Sequence, residues 1–170
     1  LAAVAPDRVE RLVLLDPAVA LPPATMTASA EETRRDDGWA TREEAVAARL
    51  VDRPPQAIAG VLEDIKTHLR QDPDGRFRLR FSRPAVIVGW SEIARPAVSL
   101  AAYPGRVLLL IADRGEYVMP WFAAGLASDL GSRLVARTID SGHMVYWDAF
   151  EATAAITTAF LEDRPVPGGA

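Results

Sequence analysis

The two longest runs of Leu, Ile and Val in this chain are Leu12-Val13-Leu14-Leu15 and Val107-Leu108-Leu109-Leu110-Ile111, with no polar side chain in either. A strand that is apolar at every position has no face left for solvent, so it suits a parallel sheet covered on both sides. Parallel strands need a crossover between them, usually a helix. The sequence supplies one after the second stretch, where Pro120 opens an apolar helical pattern through Leu126 and Leu130 and Gly131 closes it. A third strand follows at Leu134 to Ile139, and a last helix is expected from about Asp148 to Leu161. Its expected inner face is Phe150, Thr153, Ala154, Thr157, Phe160 and Leu161. The apolar Leu1 to Ala5 reads as the tail of a helix leading into the first strand, the second half of a βαβ unit. The fold class is therefore α/β, a mostly parallel sheet with flanking helices.

The first two strands are separated by a long block of a different kind. Residues 18–40 read as irregular, with Pro22-Pro23 and many small polar residues. Thr41 and Glu44 form a capping-box pattern that starts a helix to about Val51. A second helix, from Gln56 to about Arg70, carries Ile58, Val61, Leu62, Ile65 and Leu69 on one stripe. The turn Asp72-Pro73-Asp74-Gly75 precedes an alternating ribbon, Arg76 to Phe81, and Pro84 opens a helix to about Ala94. The expected organisation is core over 1–17, a mainly helical cap over 18–100, core again over 101–164 and a tail over 165–170.

With 170 residues and 49% hydrophobic content the chain can bury a core. A net charge of −4 gives no basic field for nucleic acid, and the apolar runs are far too short to span a bilayer. There is no cysteine, hence no disulfide and no thiolate metal site. With no signal-peptide pattern either, a cytoplasmic location is expected. The chain opens on Leu1 inside an apparent helix, so it is expected to be the C-terminal part of a longer protein.

Chemistry concentrates at the ends of the strands. His143, one of two histidines, sits in Asp140-Ser141-Gly142-His143-Met144, directly after the third strand. Ligands and catalytic groups in open α/β sheets gather at the carboxyl ends of the strands. A histidine there is placed as a general base, with Gly142 permitting a tight or left-handed turn. The loop after the second strand carries Asp113 and Glu116, either of which could orient an imidazole. His68 reads as a surface residue near a helix end, and two separated histidines form no metal cluster. Trp39, Phe81, Trp90, Met144 and Trp147 are candidate pocket walls, ordinary packing being the simpler account of each.

Three segments together resemble the α/β-hydrolase superfamily: Pro6 to Pro17, the strand and loop 107–120, and Ser141-Gly142-His143-Met144. The resemblance implies a Ser–acid–His triad in that chain order. It places the acid four residues before the helix-opening Pro120, which selects Glu116, with Asp16 and Asp113 as alternatives. A G-x-S-x-G elbow is absent. The nearest match, Gly89-Trp90-Ser91-Glu92-Ile93, has Ile93 where the tight turn needs a small residue, so the nucleophile is expected upstream of Leu1. The implied activity is hydrolysis of a small ester or related acyl substrate, with no cofactor. Two alternatives remain open: an upstream Asp nucleophile of the epoxide-hydrolase or dehalogenase type, and a non-catalytic small-molecule binding protein of the same fold.

Overall fold

A computed structural model describes residues 1–168 apart from Asp36 and Asp52. Strand β1 (Arg11–Leu15) is followed by helices α1 (Pro23–Arg35), α2 (Arg42–Leu50) and α3 (Ile58–His68), the short strands β2 (Leu69–Gln71) and β3 (Phe77–Leu79), and α4 (Arg83–Ile93). The second half is β4 (Arg106–Ala112), α5 (Pro120–Leu130), β5 (Leu134–Ile139), the single turn α6 (Val145–Asp148) and α7 (Phe150–Leu161). The chain divides into two compact units, Leu1–Leu21 with Arg95–Ala170, and Pro22–Ala94. The divisions fall at Leu21/Pro22 and Ala94/Arg95.

In the first unit the sheet order is β1-β4-β5, and both pairings are parallel. Leu15 stands level with Leu110, and Ala112 with Ile139, so all three strands deliver their carboxyl ends to the same edge. β4 lies in the middle because its side chains have nowhere polar to go: Val107, Leu108, Leu109 and Leu110 are each fully buried. Burying each contributes about 2 kcal/mol. Val107 and Leu109 pack toward Phe122, Leu126 and Leu130 of α5. Leu108 and Leu110 pack on the other face against Ile156 and Phe160 of α7. Each face of the sheet therefore has its own apolar cluster.

The last helix differs from its sequence reading. The helical pattern breaks at Ala149 (φ −143°), and α7 starts one residue later. Its inner face is Thr153, Ile156, Ala159 and Phe160, while Phe150 and Leu161 are half or more exposed. The end of α7 is tied to the sheet by charge. Arg11 donates to Asp163 from two guanidinium nitrogens (2.7 and 2.5 Å) and to the Phe160 carbonyl (2.8 Å). Arg106 donates to the same Asp163 carboxylate at 2.6 Å. These arginines hold the Asp163 carboxyl down to about 2, the Arg11 hydrogen bond first among the causes.

The second unit is helical with one small hairpin. Residues 23–35, expected to be irregular, form α1, with Pro23 as its first helical residue. Proline lacks the N–H that a first-turn residue leaves unpaired anyway, so Pro22-Pro23 starts this helix rather than preventing one. Trp90 donates from its indole N–H to Thr33 Oγ1 (2.9 Å), which links α4 to α1. Half of the expected capping box forms: Glu44 N–H donates to Thr41 Oγ1 (3.0 Å), while Glu44 Oε2 accepts from Ala40 N–H (2.9 Å), one residue before the N-cap. The α3 pattern stops at His68 and passes into β2, so only Val61 and Ile65 of the helical stripe, with Leu69 beyond it, are buried.

Candidate active site

The site grows from the carboxyl ends of β1, β4 and β5. β1 is followed directly by Asp16, whose backbone adopts φ 42°, the left-handed region that aspartate tolerates better than most residues. Asp16 N–H still donates to Leu110 O (2.9 Å), so the residue is fixed to the sheet edge while its side chain turns across it. That side chain is fully buried. A buried carboxylate is costly unless its oxygens are satisfied. Here Oδ1 accepts from Ala112 N–H at 2.9 Å, and Oδ2 lies 2.8 Å from His143 Nδ1.

Geometry fixes the tautomer. A carboxylate only accepts, so the proton of the imidazole sits on Nδ1 and points at Asp16, leaving Nε2 with its lone pair. The imidazole is about one-third exposed. Tyr117 lies on its face, with ring centroids 4.0 Å apart and planes tilted by 35°. The histidine thus combines a buried acid on one nitrogen with a free, basic second nitrogen, which is what general base catalysis requires.

Two glycines make this possible through space rather than through backbone angle. A Cβ on Gly115 would stand 2.4 Å from Asp16 Oδ2 and 2.8 Å from Ala112 Cβ. A Cβ on Gly142 would stand 2.5 Å from Asp148 Oδ2. Among the described residues the glycines at positive φ are Gly38, Gly75 and Gly131; Gly142, which permits a tight or left-handed turn, is not among them and instead makes a close approach to a buried carboxylate.

The acid expected from sequence is not the one on the histidine. Glu116 is exposed, sits at φ 54° in the loop after β4, and is not hydrogen-bonded to His143. Asp113 has a different role: its Oδ1 accepts from Ser141 N–H (2.9 Å), and its own N–H donates to Ile139 O (3.1 Å), tying the two loops together. Arg114 reinforces this by pairing with Asp140. Asp16, weighed only as an alternative, makes the contact. The available signal was its place directly after an all-apolar strand, at the height of the other two strand ends.

The remaining candidates make local contacts of their own. Ser91 lies inside α4, where Oγ donates back to Val88 O (2.7 Å), and the residues before it are helical, so no strand-to-helix elbow exists there. Ser141 is buried and its hydroxyl donates to Gly142 O (2.7 Å). His68 closes α3, more than half exposed, 3.8 Å from Asp64. Met144 accepts from the Tyr146 hydroxyl (3.4 Å), and Trp147 packs edge-on to Tyr146. Trp39 pairs with Phe77 through its backbone, and Phe81 is exposed. Among the described residues no cluster of three or more His, Cys, Asp or Glu could hold a metal ion, and no helix is long and apolar enough to cross a membrane.

Comparison with known proteins decides the fold. Lipase LipV of Mycobacterium tuberculosis is 34% identical over 167 residues, covering 96% of this chain and 64% of LipV. E-2-(acetamidomethylene)succinate hydrolase superposes with a TM-score of 0.74 at 16% identity, over 95% of this chain and 60% of its own. The chain has the α/β-hydrolase fold. A Mycobacterium tuberculosis esterase shares the same fold, with a TM-score of 0.67 at 18% identity over 95% of this chain and 57% of its own. No protein-family model matches the sequence. This chain therefore spans less than two thirds of the relatives it matches.

Proposed function

We propose that this chain carries the acid and the base of a Ser–His–Asp hydrolase acting on a small carboxylic ester. His143 is the general base, Asp16 is the triad acid, and the serine belongs to the part of the full-length protein outside these 170 residues. The observation that carries the reading is the fully buried Asp16 carboxylate, 2.8 Å from His143 Nδ1. In the mechanism, Nε2 accepts the serine proton as Oγ attacks the ester carbonyl, then returns it to the departing alkoxide. Asp16 keeps the Nδ1 proton in place and stabilises the imidazolium formed in between. Glu116 has no part in this scheme.

Ester chemistry is supported by the relatives, described as a lipase and as esterases. An external nucleophile is supported by the sheet. β1 is apolar on both faces yet stands at the edge among the described residues, only half-buried throughout. Such an edge calls for a further strand. The two serines nearest to candidacy, Ser91 and Ser141, have hydroxyls already committed to backbone carbonyls.

The test is hydrolysis of p-nitrophenyl butyrate by the full-length protein carrying His143→Ala. We expect kcat to fall by about a thousandfold or more with the thermal midpoint preserved. Near-normal turnover would overturn the assignment. An in-frame G-x-D-x-G in place of G-x-S-x-G would move the chemistry to an alkyl-enzyme ester.

A further inference from the structure

We infer that Tyr117 is a positioning residue for His143, its ring holding the imidazole in plane and favouring the imidazolium. The inference rests on reading His143 as the base. The loop after β4 carries Glu116, the acid that the sequence favours, and the structure gives that loop another use. Gly115, stripped of a side chain, lets the loop pass against the Asp16 carboxylate. Glu116 follows in the left-handed region at φ 54°. The next side chain, Tyr117, then comes back over the imidazole with centroids 4.0 Å apart.

Asp16 fixes the histidine at one atom only. A single hydrogen bond to Nδ1 leaves the ring free to rock about that bond, which would swing Nε2 away from a reacting proton. A second, face-on contact removes that freedom. The same contact is electrostatic: the negative face of an aromatic ring attracts a cation placed over it. A neutral imidazole gains little from this, whereas the imidazolium formed during proton transfer gains more, and that difference is the kind that accelerates a step. The Tyr117 hydroxyl makes no hydrogen bond among the described residues, so the ring itself is the active part.

The charged groups around the imidazole are few. Asp16 faces it from the end of β1. Asp113, Arg114 and Asp140 are engaged with one another and with Ser141 N–H on the flanking loops. Asp148 of α6 lies against Gly142, and Glu116 is exposed. Changing Tyr117 leaves all of these charges in place.

The experiment compares Tyr117→Phe, Tyr117→Leu and a variant with pentafluorophenylalanine at position 117 in the full-length protein. Leucine keeps the histidine covered but has no ring. Pentafluorophenylalanine keeps the ring's shape and removes its negative face, so it tests the electrostatics in a variant expected to fold. We expect Tyr117→Phe to keep wild-type kcat, and the other two to lose about tenfold in kcat with KM little changed. At fixed pH, the NMR resonance of the His143 Nδ1 proton should stay sharp in Tyr117→Phe and broaden in Tyr117→Leu as the ring begins to rock. Unchanged kcat in the leucine and fluorinated variants, or an unbroadened resonance in Tyr117→Leu, would overturn the inference, as would a Tyr117→Phe variant that behaves like Tyr117→Leu. The resonance needs no turnover, so it is read separately from the catalytic reading. Failure of that reading would show instead as activity surviving His143→Ala.

Discussion

Replacing Gly115 by alanine should damage the site without touching a single hydrogen-bonding group. The added Cβ would stand 2.4 Å from Asp16 Oδ2, where a relaxed contact needs about 1 Å more. The carboxylate cannot swing aside at no cost, because Oδ1 is held by Ala112 N–H at 2.9 Å and the side chain is fully enclosed. Moving Oδ2 by that amount away from the loop would stretch the 2.8 Å contact to His143 Nδ1 past hydrogen-bond range. Moving the loop instead would carry Tyr117 off the imidazole. Either route overpacks a well-filled place, for which the expected loss is about 1–3 kcal/mol. Urea unfolding of the chain measures it as a lower midpoint at unchanged m-value. In the full-length enzyme, a shift of this size between acid and base should cost on the order of a hundredfold in kcat. Stability within about 0.5 kcal/mol of wild type, together with unchanged turnover, would refute the claim that this glycine makes room for the carboxylate.

Two further outcomes follow from the same structure. The Asp163 carboxyl titrates near 2 in the folded protein against an ordinary 3.8, so its pairing with Arg11 and Arg106 stabilises the fold fully above about pH 4. That contribution fades as pH falls from 4 toward 2, and Asp163→Asn should flatten the acid side of the stability profile in that window, as followed by circular dichroism. Ser91→Ala should leave esterase turnover within about twofold of wild type, because that hydroxyl is spent inside α4; a loss of activity with the fold intact would restore Ser91 as a nucleophile.

Much of the architecture was written locally. The all-apolar runs at Leu12 and Val107 admit little besides buried strands, and the Pro120 and Gly131 signals bound α5 where it is found. α1 escaped because its alanines, threonines and glutamates give a weak apolar stripe, and Pro22-Pro23 reads as a break unless Pro23 is taken as a first helical residue. β2 escaped because Leu69 continues the α3 stripe and is buried in either conformation. The histidine loop was legible, since a strand end followed by a glycine and a histidine is a local pattern. Its acid was not. Whether Glu116 or Asp16 reaches His143 depends on the register that sets Leu15 beside Leu110, across 127 residues of sequence, and on the missing side chain of Gly115. A loop-position argument ranks Glu116 ahead of Asp16; the register is what brings Asp16 to the histidine.

The central claim is that the buried Asp16 carboxylate, and not Glu116, orients His143. Steady-state kinetics of Asp16→Asn and Glu116→Gln in the full-length enzyme test it most directly. The account predicts a fall in kcat of about ten-thousandfold for Asp16→Asn, because an amide there no longer holds the Nδ1 proton, and less than about threefold for Glu116→Gln. A large loss in Glu116→Gln with Asp16→Asn nearly fully active would contradict it.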